Sequence, residues 1–191
     1  MSQNPFQSPN YQSVNVPIVP GSQPGGLAPI SVISLILGAF GLFGSCIGLF
    51  GIVAAFMISR DPDFPQQVSN FDLVTGVIFS ILNFIIAVAL LVGSFGVLAK
   101  NGGLARTFRQ TLLAAAIFAV VRMGFGIVST AIQFNQEGDE SPFGDDPEQR
   151  WIFFAAILGF SLIWGIVLAG FYIYSYLYLG RPEVKGYLAS L

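Results

Sequence analysis

Four long apolar runs separated by short polar stretches dominate the chain, at residues 29–59, 71–99, 109–134 and 151–179. A helix needs about 20 apolar residues to cross the hydrocarbon core of a bilayer, so each run predicts one spanning helix. Pro29 suits a first helical position. Ser59-Arg60-Asp61-Pro62 ends the first run, and Gly180-Arg181-Pro182 stops the fourth. The first run is long enough to raise a re-entrant hairpin, but two full spans need about 40 residues, so one tilted helix is expected. The predicted fold class is an all-α integral membrane protein. Its four-helix transmembrane bundle occupies residues 29–180, after a disordered polar tail at 1–28 and before a short C-terminus at 181–191.

The third run organises the rest. It carries one charge, Arg122, and one face reads Thr111, Ala115, Ala119, Arg122, Gly126, Ser129 and Gln133. The second run has a matching seam of Asp72, Gly76, Ser80, Asn83, Ala87, Leu90 and Ser94. The turn between them is expected at Asn101-Gly102-Gly103. An antiparallel hairpin symmetric about that turn brings Asn83 to Arg122, Asp72 to Gln133, Gly76 to Ser129, Ser80 to Gly126 and Ser94 to Thr111. Arg122, Asn83, Ser80 and Ser129 therefore form the candidate intramembrane polar cluster, with Arg122 hydrogen-bonded to the Asn83 amide and nearby carbonyls. A charge at mid-membrane costs about 2.5 kcal/mol or more on insertion scales, so it should face the interior. A guanidinium without a carboxylate partner has two readings. One is a site for an anion or headgroup, since it offers five donors. The other is a structural pin that fixes helix register.

The first run supplies a packing face of Gly41, Gly44, Gly48 and Gly51, with Ala55 beyond. Small residues let helix backbones approach where lipid supplies no hydrophobic drive. Another span of this chain or a second copy can sit on such a face. Ser161, Gly165 and Ala169 repeat the spacing in the fourth run.

Composition narrows the class further. The chain of 191 residues is 54% hydrophobic and 9% charged, against about 25% charged in soluble domains. A net charge of −2 argues against nucleic acid as a partner; the expected partners are the lipid bilayer and a second copy or another membrane protein. No His is present and Cys46 is the single cysteine, expected as an inert apolar thiol. With no imidazole, no mid-membrane carboxylate pair, no metal-ligand cluster and no phosphate loop, neither an enzyme nor a cofactor is expected. No Lys or Arg precedes Arg60, so a secretory signal peptide is not expected.

Charge asymmetry sets the expected orientation. Lys100, Arg106, Arg109, Arg181 and Lys185 share one side, whereas the other holds Arg60 and Arg150. Both termini are therefore expected to be cytoplasmic. The opposite loop carries Glu137, Asp139, Glu140, Asp145, Asp146 and Glu148 without EF-hand spacing; it reads as a solvated loop, or a weak divalent-cation site. Trp151, Phe153 and Phe154 open the fourth run, and Tyr172, Tyr174, Tyr176 and Tyr178 close it. Those tyrosines ring the helix and are expected to form a headgroup belt. In the tail, Asn4-Pro5-Phe6 is either a short docking tripeptide or an incidental piece of polar sequence.

Several segments resemble small multi-pass membrane proteins of bacteria, families with no assigned activity. These are Ile33-Ser34-Leu35-Ile36-Leu37-Gly38, the basic turn running from Leu98-Ala99-Lys100 to Leu104-Ala105-Arg106, and Arg181-Pro182-Glu183-Val184-Lys185. The opening Asn-Pro-Phe-Gln-Ser-Pro is similar to tails of planctomycete proteins. The resemblance implies a bacterial cytoplasmic membrane. Secretory carrier membrane proteins share the NPF tail and four spans, but the basic aromatic segment they carry between spans two and three is not found at 100–110. The expected function is helix packing and assembly in the membrane, without catalysis. The alternative is a small channel or transporter subunit in which Arg122 contacts an anionic solute or lipid headgroup.

Overall fold

In lipid every backbone polar group needs an internal partner, which leaves a long apolar segment little choice but helix. The computed structural model describes residues 23–58, 70–136 and 147–191. It contains α1 (Leu27–Ile58), α2 (Asn70–Leu98), α3 (Gly102–Gln136), α4 (Pro147–Leu179) and α5 (Pro182–Ser190). The fold is all-α, and α1 to α4 each hold a stretch of 26 to 31 residues long and apolar enough to cross a membrane. The tail with its Asn-Pro-Phe tripeptide and the acidic segment 137–146 lie outside the described residues.

The outside of the bundle is apolar. Phe50, Ile152 and Phe160 are each 68 to 78% exposed, as lipid-facing side chains should be. Neighbours in sequence pack together: α1 on α2, α2 on α3 and α3 on α4. The buried core lies at one end, where Leu27, Leu90, Val97, Phe108, Leu112, Leu179 and Val184 are essentially inaccessible. Toward the other end burial falls away. Within 44–57, 73–86, 117–132 and 151–168, Ser45 is the one buried side chain among the described residues.

The α2–α3 turn differs from expectation, and the difference moves the register. Asn101 N–H donates to the Gly96 carbonyl at 2.8 Å and Lys100 N–H to the Val97 carbonyl at 3.2 Å. That pair of bonds is a Schellman ending, with Lys100 in the left-handed region at φ 55°. Asn101 then begins α3. Its Oδ1 accepts from Gly103 N–H at 3.1 Å and Leu104 N–H at 3.4 Å, an N-cap arrangement. Gly102 and Gly103 are the first residues of α3 and not the turn, so the hairpin pivots nearer Lys100. Opposing residues shift by roughly one helical turn. The Phe79 ring packs between Phe118 and Phe125, at centroid distances of 5.9 and 4.9 Å. Gly93 and Gly96 let α3 come close; a Cβ at Gly96 would strike Leu104 and the α3 backbone.

The C-terminal segment 181–191 is also more ordered than a short tail. Pro182 opens α5, whose Val184 and Leu188 are buried against the α3 end of the core. A Cβ on Gly102 would lie 2.8 Å from the Leu191 carbonyl carbon. The four tyrosines, expected as a headgroup belt, take different places. Tyr172 is in the core, the Arg109 guanidinium lies 4.4 Å over the Tyr176 ring, and Tyr178 OH accepts from Gly26 N–H at 2.9 Å. Tyr174 is 59% exposed. Arg109 also flanks Gly180 at the C-terminal end of α4, where a helix dipole favours a cation.

Replacing Lys100 by Gly removes a side chain from left-handed backbone and should stabilise the bundle by about 0.5–1 kcal/mol. Gly96→Val forces α2 from α3 and should destabilise by about 1–3 kcal/mol. Unfolding of both variants by SDS titration, followed by circular dichroism, checks the opposite signs.

Candidate functional site

The site is built on a close α1–α2 contact. On α1, the positions facing α2 are Gly38, Gly41, Ser45, Gly48 and Ile52; on α2 they are Gly76, Ser80, Asn83, Ala87 and Leu91. Both stripes advance in steps of three and four, and they run antiparallel in register. A Cβ on Gly41 would sit 3.2 Å from the Ala87 Cβ, and one on Gly48 would sit 3.0 Å from the Ser80 Oγ. Gly76 faces Ile52 in the same way, at 3.3 Å. Such small-residue stripes allow dispersion contact along the whole interface, the main attraction between helices in lipid.

One polar triangle lies inside this contact. Asn83 Nδ2 donates to the Gly41 carbonyl at 2.9 Å and to Ser45 Oγ at 2.7 Å. Ser45 Oγ in turn donates to the Gly41 carbonyl at 2.8 Å. The expected Asn83–Arg122 hydrogen bond is not formed: the Asn83 side chain is held against α1 through Nδ2, and Arg122 donates to no described residue. The other expected α2–α3 pairs change likewise. Ser80 and Gly76 face α1, Gly126 has no neighbour within 4 Å of an added Cβ, and Thr111 bonds within α3 to the Thr107 carbonyl at 3.1 Å. Asp72 and Gln133 lie outside the described side chains. The α2 seam meets the α1 stripe step for step, Gly41 on Ala87, Ser45 on Asn83 and Gly48 on Ser80.

Beside the α1–α2 contact is a cavity of about 490 Å³. Gly41, Gly44, Ser45 and Gly48 form one wall, Ser80 and Asn83 the next, and Phe118, Ala119 and Arg122 the third; Trp164, Leu168 and Tyr172 contribute from α4. Glycines leave this wall without side chains, which is why a void exists there. Of the expected cluster, Arg122, Asn83 and Ser80 line this one cavity. Ser129 does not line it and bonds to the Gly126 carbonyl of its own helix at 3.1 Å. Gly41, Gly44 and Gly48 of the expected packing face border the cavity, whereas Gly51 does not; Gly44 and Gly51 both have open space where a Cβ would be.

Arg122 is exposed and makes no hydrogen bond or ion pair with any described residue. It stands about 20 Å along α3 from Arg109, deep in the span. An unpaired guanidinium there retains five donors and the full attraction of a poorly screened charge. Sequence reasoning missed Ser45, although it falls on the same α1 stripe between Gly41 and Gly48. It also missed the aromatic lining, Phe40, Phe79, Phe118 and Trp164, which carries no periodic mark distinguishing it from lipid-facing residues.

Comparison of the chain with protein-family models, curated proteins and solved structures finds no match.

In a Cys46→Ser background, a Cys pair at 45 and 83 should form a disulfide readily in membranes. A pair at 83 and 122 should crosslink at least tenfold less. Gel mobility under oxidising and reducing conditions reads both.

Proposed function

We propose that this chain is a non-enzymatic, multi-pass membrane protein that receives an anionic group inside its helix bundle, with Arg122 as the receiving cation. The supporting observation is the Arg122 guanidinium, without a partner among the described residues, on the wall of a cavity that Ser45, Ser80 and Asn83 also line. A structural pin needs partners, and Arg122 has none among the described residues. Ser45, Ser80 and Asn83 add hydroxyl and amide groups on the facing walls. A small transport or binding subunit is the corresponding role. The cluster of Lys100, Arg106, Arg109, Arg181 and Lys185 at the packed end favours a cytoplasmic position for that end, in a bacterial cytoplasmic membrane.

Assembly with a second copy or another membrane protein is the alternative. The α1 glycine face gives it limited support, since Gly38, Gly41 and Gly48 are occupied by α2.

The two roles of Arg122 predict opposite stability effects. As a vacant anion receiver it is a burden on the empty bundle. Arg122→Gln should then raise stability in a neutral maltoside detergent by about 1 kcal/mol, a fraction of the roughly 2.5 kcal/mol insertion penalty. A fall of similar size in the thermal midpoint would make Arg122 a packing element and overturn the proposal.

A further inference from the structure

Resting on the reading of Arg122 above, we infer that the anion is carried by an amphiphile drawn from the bilayer, which reaches the cavity sideways between α1 and α4. Three observations bear on it. The cavity couples one cation to mostly apolar walls, with Phe40, Phe79, Phe118 and Trp164 among them. A small hydrated anion entering it would lose its water to a single guanidinium and otherwise gain aromatic and aliphatic surface. An acyl chain fits those walls while its headgroup meets Arg122.

The second observation is the route. Leu27, Leu90, Phe108, Leu112 and Leu179, at most 1% exposed, pack one end of the bundle with apolar side chains. The extensive helix contacts are α1–α2, α2–α3 and α3–α4. The α1–α4 side is tied at the packed end by the Gly26–Tyr178 hydrogen bond and is the open flank of the bundle. The third is charge. The segments joining α1 to α2 and α3 to α4 carry Asp61, Asp63, Glu137, Asp139, Glu140, Asp145 and Asp146 against Arg60. Their field repels a free anion approaching from water at that end, and leaves a lipid anion arriving within the bilayer less affected.

Gly44 supplies a clean test. It borders the cavity, yet a Cβ there has no atom within 4 Å, so a large side chain fills the void without forcing α1 off α2. Gly51 is equally open but lies off the cavity. The full chain is placed in phosphatidylcholine nanodiscs with a diazirine-bearing palmitate, irradiated, and the adducts are mapped by peptide mass spectrometry. Expected are adducts on cavity residues of α1, α2 or α4. They should fall at least tenfold in Arg122→Gln and in Gly44→Trp, persist in Gly51→Trp, and be competed by unlabelled palmitate but not by a thousandfold excess of acetate or inorganic phosphate. In parallel, the thermal midpoint of wild type and Arg122→Gln is measured with acetate and with phosphate. If either free anion stabilises the wild type alone while palmitate labelling is indifferent to Arg122 and Gly44, the anion comes from water. The lipid inference then fails and the proposed function stands. If neither palmitate nor a free anion responds to Arg122→Gln, both fail.

Discussion

The close α1–α2 contact, where the Gly41 carbonyl receives both Asn83 Nδ2 and Ser45 Oγ, governs much of what lies around it. Lipid tails are as apolar as leucine, so α1 and α2 gain nothing from hiding apolar surface from one another. They gain from contact, and contact needs side chains small enough to let backbones meet. The triangle adds a directional bond to that contact and holds the two stripes in one register. Two consequences follow. Asn83 is held against α1, and Arg122 is left without a hydrogen-bond partner among the described residues. And between the glycines that α2 occupies, Gly44 is left open on the wall of the cavity that Arg122 also lines.

Stability is distributed unevenly along the bundle axis. At one end four helices and α5 converge on a continuous core. The Lys100–Asn101 turn and the pairing of Arg109 with Tyr176 and Arg181 with Tyr178 reinforce it. At the other end α4 offers Ile152, Phe153, Phe160 and Ile163 to its surroundings, with little packed behind them. A low density of buried contacts marks the part of a structure that opens most readily. The cavity lies where the tight region gives way to the loose one, a suitable place for a ligand to be admitted while the scaffold stays intact.

The four long apolar helices and the all-α class were legible in the sequence because 20-residue apolar runs favour helix so strongly. Gly41 and Gly48 were legible as packing positions for the same steric reason. The α2–α3 register was not. Gly102-Gly103 is the obvious turn signal, but Asn101 caps the following helix and Lys100 takes the left-handed residue that glycine usually occupies. One misplaced pivot then carried the whole expected ladder a turn out of place. The partner of the α2 seam was hidden for a different reason. The stripes on α1, α2 and α3 share the same spacing, and only the shape of the contact separates Asn83 on Gly41 from Asn83 on Arg122. The helix at 182–190 had a readable signal in Pro182, Val184 and Leu188, overlooked because the segment follows a helix terminator. That Arg122 borders a cavity is a tertiary fact, produced by small residues on two other helices.

The measurement that meets the central claim most directly is the distance between the Arg122 guanidinium carbon and lipid phosphorus. Rotational-echo double-resonance NMR on protein labelled with ¹³C at arginine Cζ, in phosphatidylglycerol bilayers, gives it, with Arg122→Gln subtracted to remove the interfacial arginines. The account predicts that the difference signal dephases rapidly, as for a guanidinium in direct contact with a phosphate. A difference signal with no dephasing would show that an anionic amphiphile making up the bilayer does not bring its headgroup to Arg122, and would contradict the account.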